Sequence, residues 1–404
     1  MKILLVDSTT LFTVDSIPGD LRMSNLASTW TACGARVTMM RFCRKDIPLC
    51  ELRRMSGVVL LFRYMSESWW RIMILLERVL SRMFPQNIQH TVRNFMLWRF
   101  ACRNIKKGDF DCVVTSLPGH GSLLLARKIS KRFKIPLIVD FRDLPDEFDL
   151  EHKKLRMKIE CWAIRRALRD AVLVTVVSPL WPIALKERFS YDDAKVSMNG
   201  YEGVLPVSSA GLAASGKLIV FYAGTMAYGR DRNFELLFDA LDKLMESGMD
   251  ISPIEVRIAG DYRDVWFEKL KRFKSYSVFK HIGRIPRAEA ILNQQNASIL
   301  LNIASPEAPG VIPSKIFEYA KARRPVLNIP SKSDVLAQFV LESKIGECCE
   351  TVDEIAEYIE RKLVEWRRNG CLPDPTVKME YLKQFSREFQ AQRFYEYIKE
   401  SVKK

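Results

Sequence analysis

The chain has 404 residues, of which 48% are apolar and 27% charged, a balance that excludes a disordered polypeptide and, at about 150 residues per domain, points to two domains. Its formal charge is +15. Residues 1–200 hold 33 Lys/Arg against 20 Asp/Glu and residues 201–404 hold 30 against 28, so the surplus lies in the first half, which suits an anionic partner such as a membrane surface or a phosphate group. MKILLVDSTTLF carries one Lys before an apolar run ending at Asp7, which fits a first strand better than a secretory signal. The apolar stretch 57–84 is interrupted by Arg63, Glu67, Arg71, Glu77, Arg78 and Arg82, too many charges for a membrane span. Nine scattered cysteines show no Cys-x-x-Cys pair and no zinc spacing, and read as buried thiols of a cytoplasmic protein.

Short apolar runs alternate with stretches of helical period, the pattern of β-α units and parallel sheets. In chain order the strands fall at Ile3–Val6, Arg36–Met40, Val58–Phe62, Cys112–Thr115, Leu137–Asp140 and Ala171–Val177. A second series follows at Leu218–Tyr222, Glu255–Ala259, Val278–His281, Ser298–Ile303 and Val326–Ile329. Between them, Asn199–Gly216 is rich in Gly, Ser and Ala and has no period, as a linker would. The expected division is 1–203, 204–378 and an amphipathic helix over 379–404 that crosses back to the first domain. Ligands of open parallel sheets bind beyond the carboxyl ends of the strands, so strand-to-helix loops are where chemistry is sought.

Among these loops, Gly310–Pro325 (GVIPSKIFEYAKARRP) is the most specific. Gly310, Val311 and Ile312 approach a helix opened by Pro313, whose missing N–H costs nothing in the first turn, and whose amides suit an anion. Lys315 follows. Glu318, one turn on, has two acceptor oxygens suited to vicinal hydroxyls. Upstream, FYAGTMAYGRDRNFELL places Gly224 and Thr225 at a strand end and follows them with Arg230 and Arg232, whose guanidiniums suit phosphate. HIGRIPRAE presents Gly283, Arg284 and Ile285.

These segments, in this order, resemble the retaining glycosyltransferases of family 4. The resemblance implies an α/β fold of the GT-B type, two Rossmann-like domains with parallel sheets facing across a cleft. It implies a nucleotide diphosphate sugar as co-substrate and no other cofactor, with transfer to a saccharide or polyisoprenyl-linked acceptor. It assigns Glu318 to the donor ribose, Gly283 to Ile285 to the base, and Gly224, Thr225, Arg230 and Arg232 to the diphosphate. The family's donor motif is Glu-x7-Glu, and its first Glu falls at Gly310; Glu307, three residues earlier, is the nearest carboxylate able to stand in. Ser16–Asn25, with Gly19 and Arg22, resembles the family's glycine loop over the donor phosphates.

In the first half, SLPGHGS carries His120, which suits a general base, a substrate hydrogen-bonder or a plain surface group. VDFRDLPDE places Arg142 and Asp143 at a strand end and resembles the Arg-Asp element of a subset of the family, which makes both cleft residues, with a structural pair of Asp140 and Arg142 as the alternative. Asp109-Phe110-Asp111 has metal-binding Asp-x-Asp spacing but precedes a buried strand, where turn aspartates are commonplace, and no metal is expected. Between Arg63 and Lys107, Trp69, Trp70, Phe84, Phe95, Trp98 and Phe100 interleave with basic residues, as in helices lying at a bilayer interface or packed on a sheet with snorkelling arginines. Other classes compatible with the sequence are a nucleotide-sugar epimerase on the same fold and a non-enzymatic anion-binding protein; no nucleic-acid motif is present. The expected location is the cytoplasm, peripheral at the inner membrane face.

Overall fold

Seven apolar runs build an all-parallel sheet in the N-terminal half: β1 (Lys2–Thr10), β2 (Arg36–Arg44), β3 (Val59–Met65), β4 (Cys112–Leu117), β5 (Leu137–Phe141), β6 (Ala171–Val176) and β7 (Ala194–Val196), in the order β3-β2-β1-β4-β5-β6-β7. The structure, a computed structural model, describes residues 1–10, 18–44, 58–66, 68–69, 71–72, 75–76, 91–117, 120–144, 154–208, 216–224, 234–260, 264–304, 310, 312–331 and 333–403.

Both faces of this sheet are covered, so its strands are apolar on alternate sides rather than apolar and polar. Leu4, Val6, Val113, Val139 and Val174 face one core, shared with the helices α2 (Thr91–Asn104), α3 (His120–Phe133), α4 (Lys154–Asp170) and α5 (Trp181–Phe189). Ile3, Leu5, Val114, Ile138 and Leu173 face the other, shared with α1 (Pro18–Ala32) and a helix from the far end of the chain, α13 (Arg387–Val402). There Trp30 meets Phe394 edge to face at 5.2 Å and donates its indole N–H to the Ala391 carbonyl at 2.9 Å.

At the carboxyl end of the sheet lies a buried ion pair. Ser116, Asp140 and Thr175 are register partners on β4, β5 and β6. The Arg22 guanidinium donates from Nε and Nη2 to the two Asp140 oxygens at 3.0 and 2.9 Å. Its remaining donors reach the carbonyls of Met198 and Ser197 and the Asn199 amide oxygen. Ser116 and Thr175 hydroxyls donate to Asp140 at 2.7 and 2.8 Å. Burial alone raises the Asp140 carboxyl, but the Arg22 charge and these hydrogen bonds outweigh it and hold the group below its ordinary value of 3.8.

The second sheet contains β8 (Leu218–Ala223), β9 (Ile254–Ala259), β10 (Phe279–His281), β11 (Ile299–Ile303), β12 (Val326–Ile329) and β13 (Gly346–Cys348), again parallel, in the order β10-β9-β8-β11-β12-β13. Its helices are α6 (Glu235–Glu246), α7 (Asp264–Leu270), α8 (Arg287–Asn296), α9 (Ser314–Ala322), α10 (Val335–Ser343), α11 (Val352–Asn369) and α12 (Met379–Lys383). One face packs on α6 and α11 through Leu237, Leu241, Ile355 and Ile359. Elsewhere in the unit, Phe317 of α9 lies 5.1 Å from Phe339 of α10, which lies 5.0 Å from Phe385. Helix α11 opens on a capping box, Thr351 and Glu354 bonding each other's backbone, and ends on Gly370 in the left-handed region.

The chain divides into two compact units, Met1–Asn199 with Arg387–Lys404, and Gly200–Ser386. The crossings therefore fall at 199/200 and 386/387 rather than at 203/204 and 378/379. Tyr201 donates its amide to the Phe385 carbonyl at 3.0 Å and bridges Ser386, which ties residues 200–203 to the second unit. The Tyr381 and Phe385 rings lie tilted 5.1 Å apart and both meet Phe339, and residues up to Ser386 belong to the second unit, so the tail is two helices and its first part stays with that unit. Cys112 and Cys349 are buried, but Cys33, Cys102 and Cys371 are exposed, which corrects the expectation of buried thiols throughout. Among the described residues, no helix is long and apolar enough to cross a membrane.

Asp140→Asn leaves the Arg22 charge buried without its counter-ion and is expected to lower stability by about 3–5 kcal/mol in urea titrations followed by circular dichroism. Arg22→Met with Asp140→Leu removes both charges and is expected to recover most of that loss. Because the native carboxyl is depressed, the unfolded chain binds the proton more readily, so the contribution is present above the ordinary carboxyl value and disappears as pH falls below it. Melting temperatures measured in acid should fall more steeply for the wild type than for Asp140→Asn.

Candidate functional site

In the second unit the strand order reverses between β8 and β11, which makes the carboxyl ends of these strands the place where a ligand fits an open parallel sheet. Backbone bonds lace that edge together. The Gly224 amide donates to the Ala259 carbonyl at 3.0 Å and the Gly260 amide to the Gly283 carbonyl at 2.9 Å. The His281 Nε2 lies 2.9 Å from the Gly260 carbonyl oxygen. Gly283 has φ +70°, and a Cβ there would meet only open space, so its turn is dictated by backbone conformation rather than by crowding. Gly224 is different: a Cβ would come within 2.7 Å of the Tyr222 hydroxyl oxygen, so glycine keeps this strand end clear beside a buried tyrosine.

Helix α9 brings two side chains toward this edge. Lys315, in its first turn, holds its ammonium 3.8 Å from the centroid of the Tyr222 ring, a cation–π contact. Glu318, one turn later and one quarter exposed, accepts from Arg287 Nη2 through Oε1 at 3.0 Å. Among the described residues no other group bonds the Glu318 carboxylate. Arg287 opens α8 and also lies 3.5 Å from the carboxylate of Glu202. The Lys321 ammonium donates to the Glu202 carbonyl at 2.7 Å, so the segment just past the unit boundary is fastened to α9 as well.

The structure thus brings Gly224, Lys315 and Glu318 into one strand-end region and places Gly283, Arg284 and Ile285 on the turn leading to Arg287 and α8. Gly310 and Ile312 precede α9, with Ile312 buried, so its backbone rather than its side chain is what the loop can offer. Pro313 caps the helix in extended conformation instead of occupying its first position, and Arg323 terminates it with φ +56°. Thr225, Arg230, Arg232, Glu307 and Val311 lie outside the described residues. Tyr222, Arg287 and Glu202 were missed by sequence reasoning: Arg287 stands in HIGRIPRAE, but its partner is 31 positions away.

In the first unit, Gly19 lies in the first turn of α1 and not in a loop, and Arg22 on the same helix is committed to Asp140 instead of being presented to a phosphate. Asp140 does not pair with Arg142 either; Arg142 donates through both its amide and Nε to the Leu117 carbonyl, at 3.1 and 3.0 Å. Asp143 is exposed just after β5, and His120 begins α3. The Asp109 carboxylate accepts the backbone N–H of Lys106 at 2.7 Å, a local turn bond, and the Asp111 carboxylate accepts the N–H of Lys2 at the start of β1, also at 2.7 Å. Of the aromatics between Arg63 and Lys107, Trp98 and Phe100 pack against the core while Trp69 and Phe95 are exposed; Trp70 and Phe84 lie outside the described residues.

The whole chain is similar in fold to two solved structures. One is a sucrose-phosphate synthase from Thermosynechococcus elongatus, with TM-score 0.64 and 13% identity over 99% of this chain and 98% of the other. The second is a glycosyltransferase from Rickettsia africae, with TM-score 0.59 and 14% identity over 100% and 98%. The fold is that of the GT-B glycosyltransferases. At these identities the likeness is one of fold. No model of a protein family matches the chain, and no curated protein matches it by sequence.

Gly310, where the resemblance to family 4 leads one to expect a glutamate, has φ +85°, a conformation that side chains rarely adopt. Gly310→Glu restores the carboxylate of the motif but is expected to cost about 1–3 kcal/mol, read as a lower urea midpoint than that of the wild type.

Proposed function

We propose that the chain is a retaining glycosyltransferase of the hexosyl type, taking a nucleotide diphosphate sugar at the carboxyl edge of the second sheet and transferring the sugar to a saccharide or polyisoprenyl-linked acceptor served by the first unit. The observation that carries this is Glu318. It is a carboxylate on a helix at the switch point, oriented by Arg287 through one oxygen, with the other suited to accept from the vicinal hydroxyls of a ribose. Lys315 and the α9 amides supply positive charge beside it for a diphosphate. The sucrose-phosphate synthase and the glycosyltransferase among the structural neighbours favour the same chemistry.

In the reaction, the bond from the anomeric carbon to the diphosphate oxygen breaks, and the acceptor oxygen bonds that carbon on the same face. The acceptor proton passes to the departing diphosphate. Negative charge grows on the leaving oxygens, and the groups assigned to meet it are Arg230, Arg232, Lys315 and the α9 N-terminus, so the protein's own cations take the part of a metal ion. Gly224 and Thr225 border the diphosphate, Gly283 to Ile285 the base, and Gly310 to Ile312 the sugar. In the first unit, His120 and Asp143 are the residues offered to the acceptor side. Work at the inner face of a membrane follows if the acceptor is polyisoprenyl-linked.

A screen of nucleoside diphosphates and their sugars by thermal shift tests the donor site, since a ligand at a hundred times its Kd stabilises the native state by about 2.7 kcal/mol. At least one is expected to shift the wild type, and Glu318→Ala to abolish the shift; if Glu318→Ala leaves it unchanged, the site is elsewhere. A 2′-deoxynucleoside diphosphate should bind the wild type less tightly than its ribonucleoside counterpart. Arg287→Ala is expected to shrink that difference, because Glu318 then loses the group that orients it, and Arg287→Lys to restore part of it.

A further inference from the structure

The charge of the first unit is segregated by layer. Helices α2 to α5, which share one core against the sheet, carry fifteen Lys/Arg and three Asp/Glu, whereas α1 and α13 on the opposite face carry four of each. A solvated surface built only for solubility has no reason to separate its charges in this way, since mixed signs on both faces serve that end. Among the described residues, Arg99, Arg165, Arg166 and Arg169 have no carboxylate partner. Two of them instead cover exposed rings: Arg166 lies 4.8 Å from the centroid of Trp162, and Arg99 lies 5.9 Å from that of Phe95. Arg165 bonds the Arg188 carbonyl of α5 at 3.2 Å and Arg169 bonds the Arg165 carbonyl at 3.4 Å, so the cations run along the seam between α4 and α5.

The same layer exposes apolar side chains. Phe95, Trp162 and Ile183 are 58%, 52% and 57% exposed, on α2, α4 and α5 respectively. Basic residues interspersed with large apolar ones, with little acidic charge between them, suit the interface of an anionic bilayer: the cations meet phosphate head groups while the apolar groups enter the acyl boundary. A nucleic acid would take the cations and could stack on Trp162, but Ile183 has no ring face for a base. We infer that the α2–α5 layer of the first unit is a docking surface for an anionic lipid bilayer. The inference is independent of the donor-site assignment, because lipid binding is measured without nucleotide or acceptor.

The test is co-sedimentation of the full chain with vesicles of phosphatidylcholine alone and of phosphatidylcholine mixed with phosphatidylglycerol. Binding is expected only to the anionic vesicles and should weaken as salt is raised. The triple variant Arg165→Glu, Arg166→Glu, Arg169→Glu should reduce affinity by roughly tenfold or more. Trp162→Ser with Ile183→Ser should also weaken binding, whereas Arg393→Glu on α13 should not. Melting curves confirm that each variant is folded, and quenching of tryptophan emission by brominated lipid should be smaller in Trp162→Phe. Equal recovery with neutral and anionic vesicles, or full binding by the triple variant, overturns the inference. Failure to bind vesicles together with tight, salt-sensitive binding of single-stranded RNA that survives Ile183→Ser assigns the layer to nucleic acid instead.

Discussion

The first unit is organised around one guanidinium. Arg22 has five N–H donors, and the carboxylate, two backbone carbonyls and amide oxygen around it occupy all of them. Asp140, held between Ser116 and Thr175, receives four hydrogen bonds in return. A fully satisfied buried pair of this kind contributes more to specificity of arrangement than to net stability, because its desolvation cost is large and only complete hydrogen bonding offsets it. What it specifies here is the position of α1 over the ends of three adjacent strands and the path of residues 197–199. Gln390 of α13 then bonds the Met198 amide at 2.8 Å, so the last long helix is tied into the same set of contacts.

The two sheets have the same 3-2-1-4-5-6 strand order over their first six members, yet they use their carboxyl edges differently. In the first, the edge at β4 to β6 is filled by an internal ion pair. In the second, glycines follow the ends of β8, β9 and β10, the counterparts of β1 to β3, and the charged groups nearby, Lys315, Glu318 and Arg287, sit on helices α8 and α9 instead of within the sheet. Asn302 and Asn328, adjacent on β11 and β12, form a polar contact inside this second sheet at 2.7 Å. The buried aspartate of β5 thus has a buried asparagine, Asn328, on its counterpart β12.

Most of this fold was legible in the sequence, because strands covered on both faces are runs of apolar residues and their ends are marked by Gly, Asp and Pro. The eleven runs found that way correspond to β1–β6 and β8–β12 within a few residues. β7 and β13 were not legible: each has three residues and neither is buried, so no periodic signal exists to be read. Helix α9 and the strand-end glycines were visible as motifs. The ion pair of Arg22 was not, since a Gly and an Arg after a first strand look the same whether the chain loops or enters a helix. Arg287 was quoted in its segment without a role, because a bond between side chains on α8 and α9 is a property of packing alone.

The contribution of α13 to the first unit has a consequence for biosynthesis. A ribosome releases residues 1–199 long before 387–402, and until those emerge the face holding Ile3, Leu5, Val114 and Trp30 lacks its second helix. The Trp30 indole and the Met198 amide also lack their partners during that interval. The continuous second unit has all its residues earlier than the first unit does, so the order of completion is the reverse of the order in which the two begin. The nascent first unit is thereby the part of the chain exposed longest to chaperones, with an apolar sheet face as the feature they would meet.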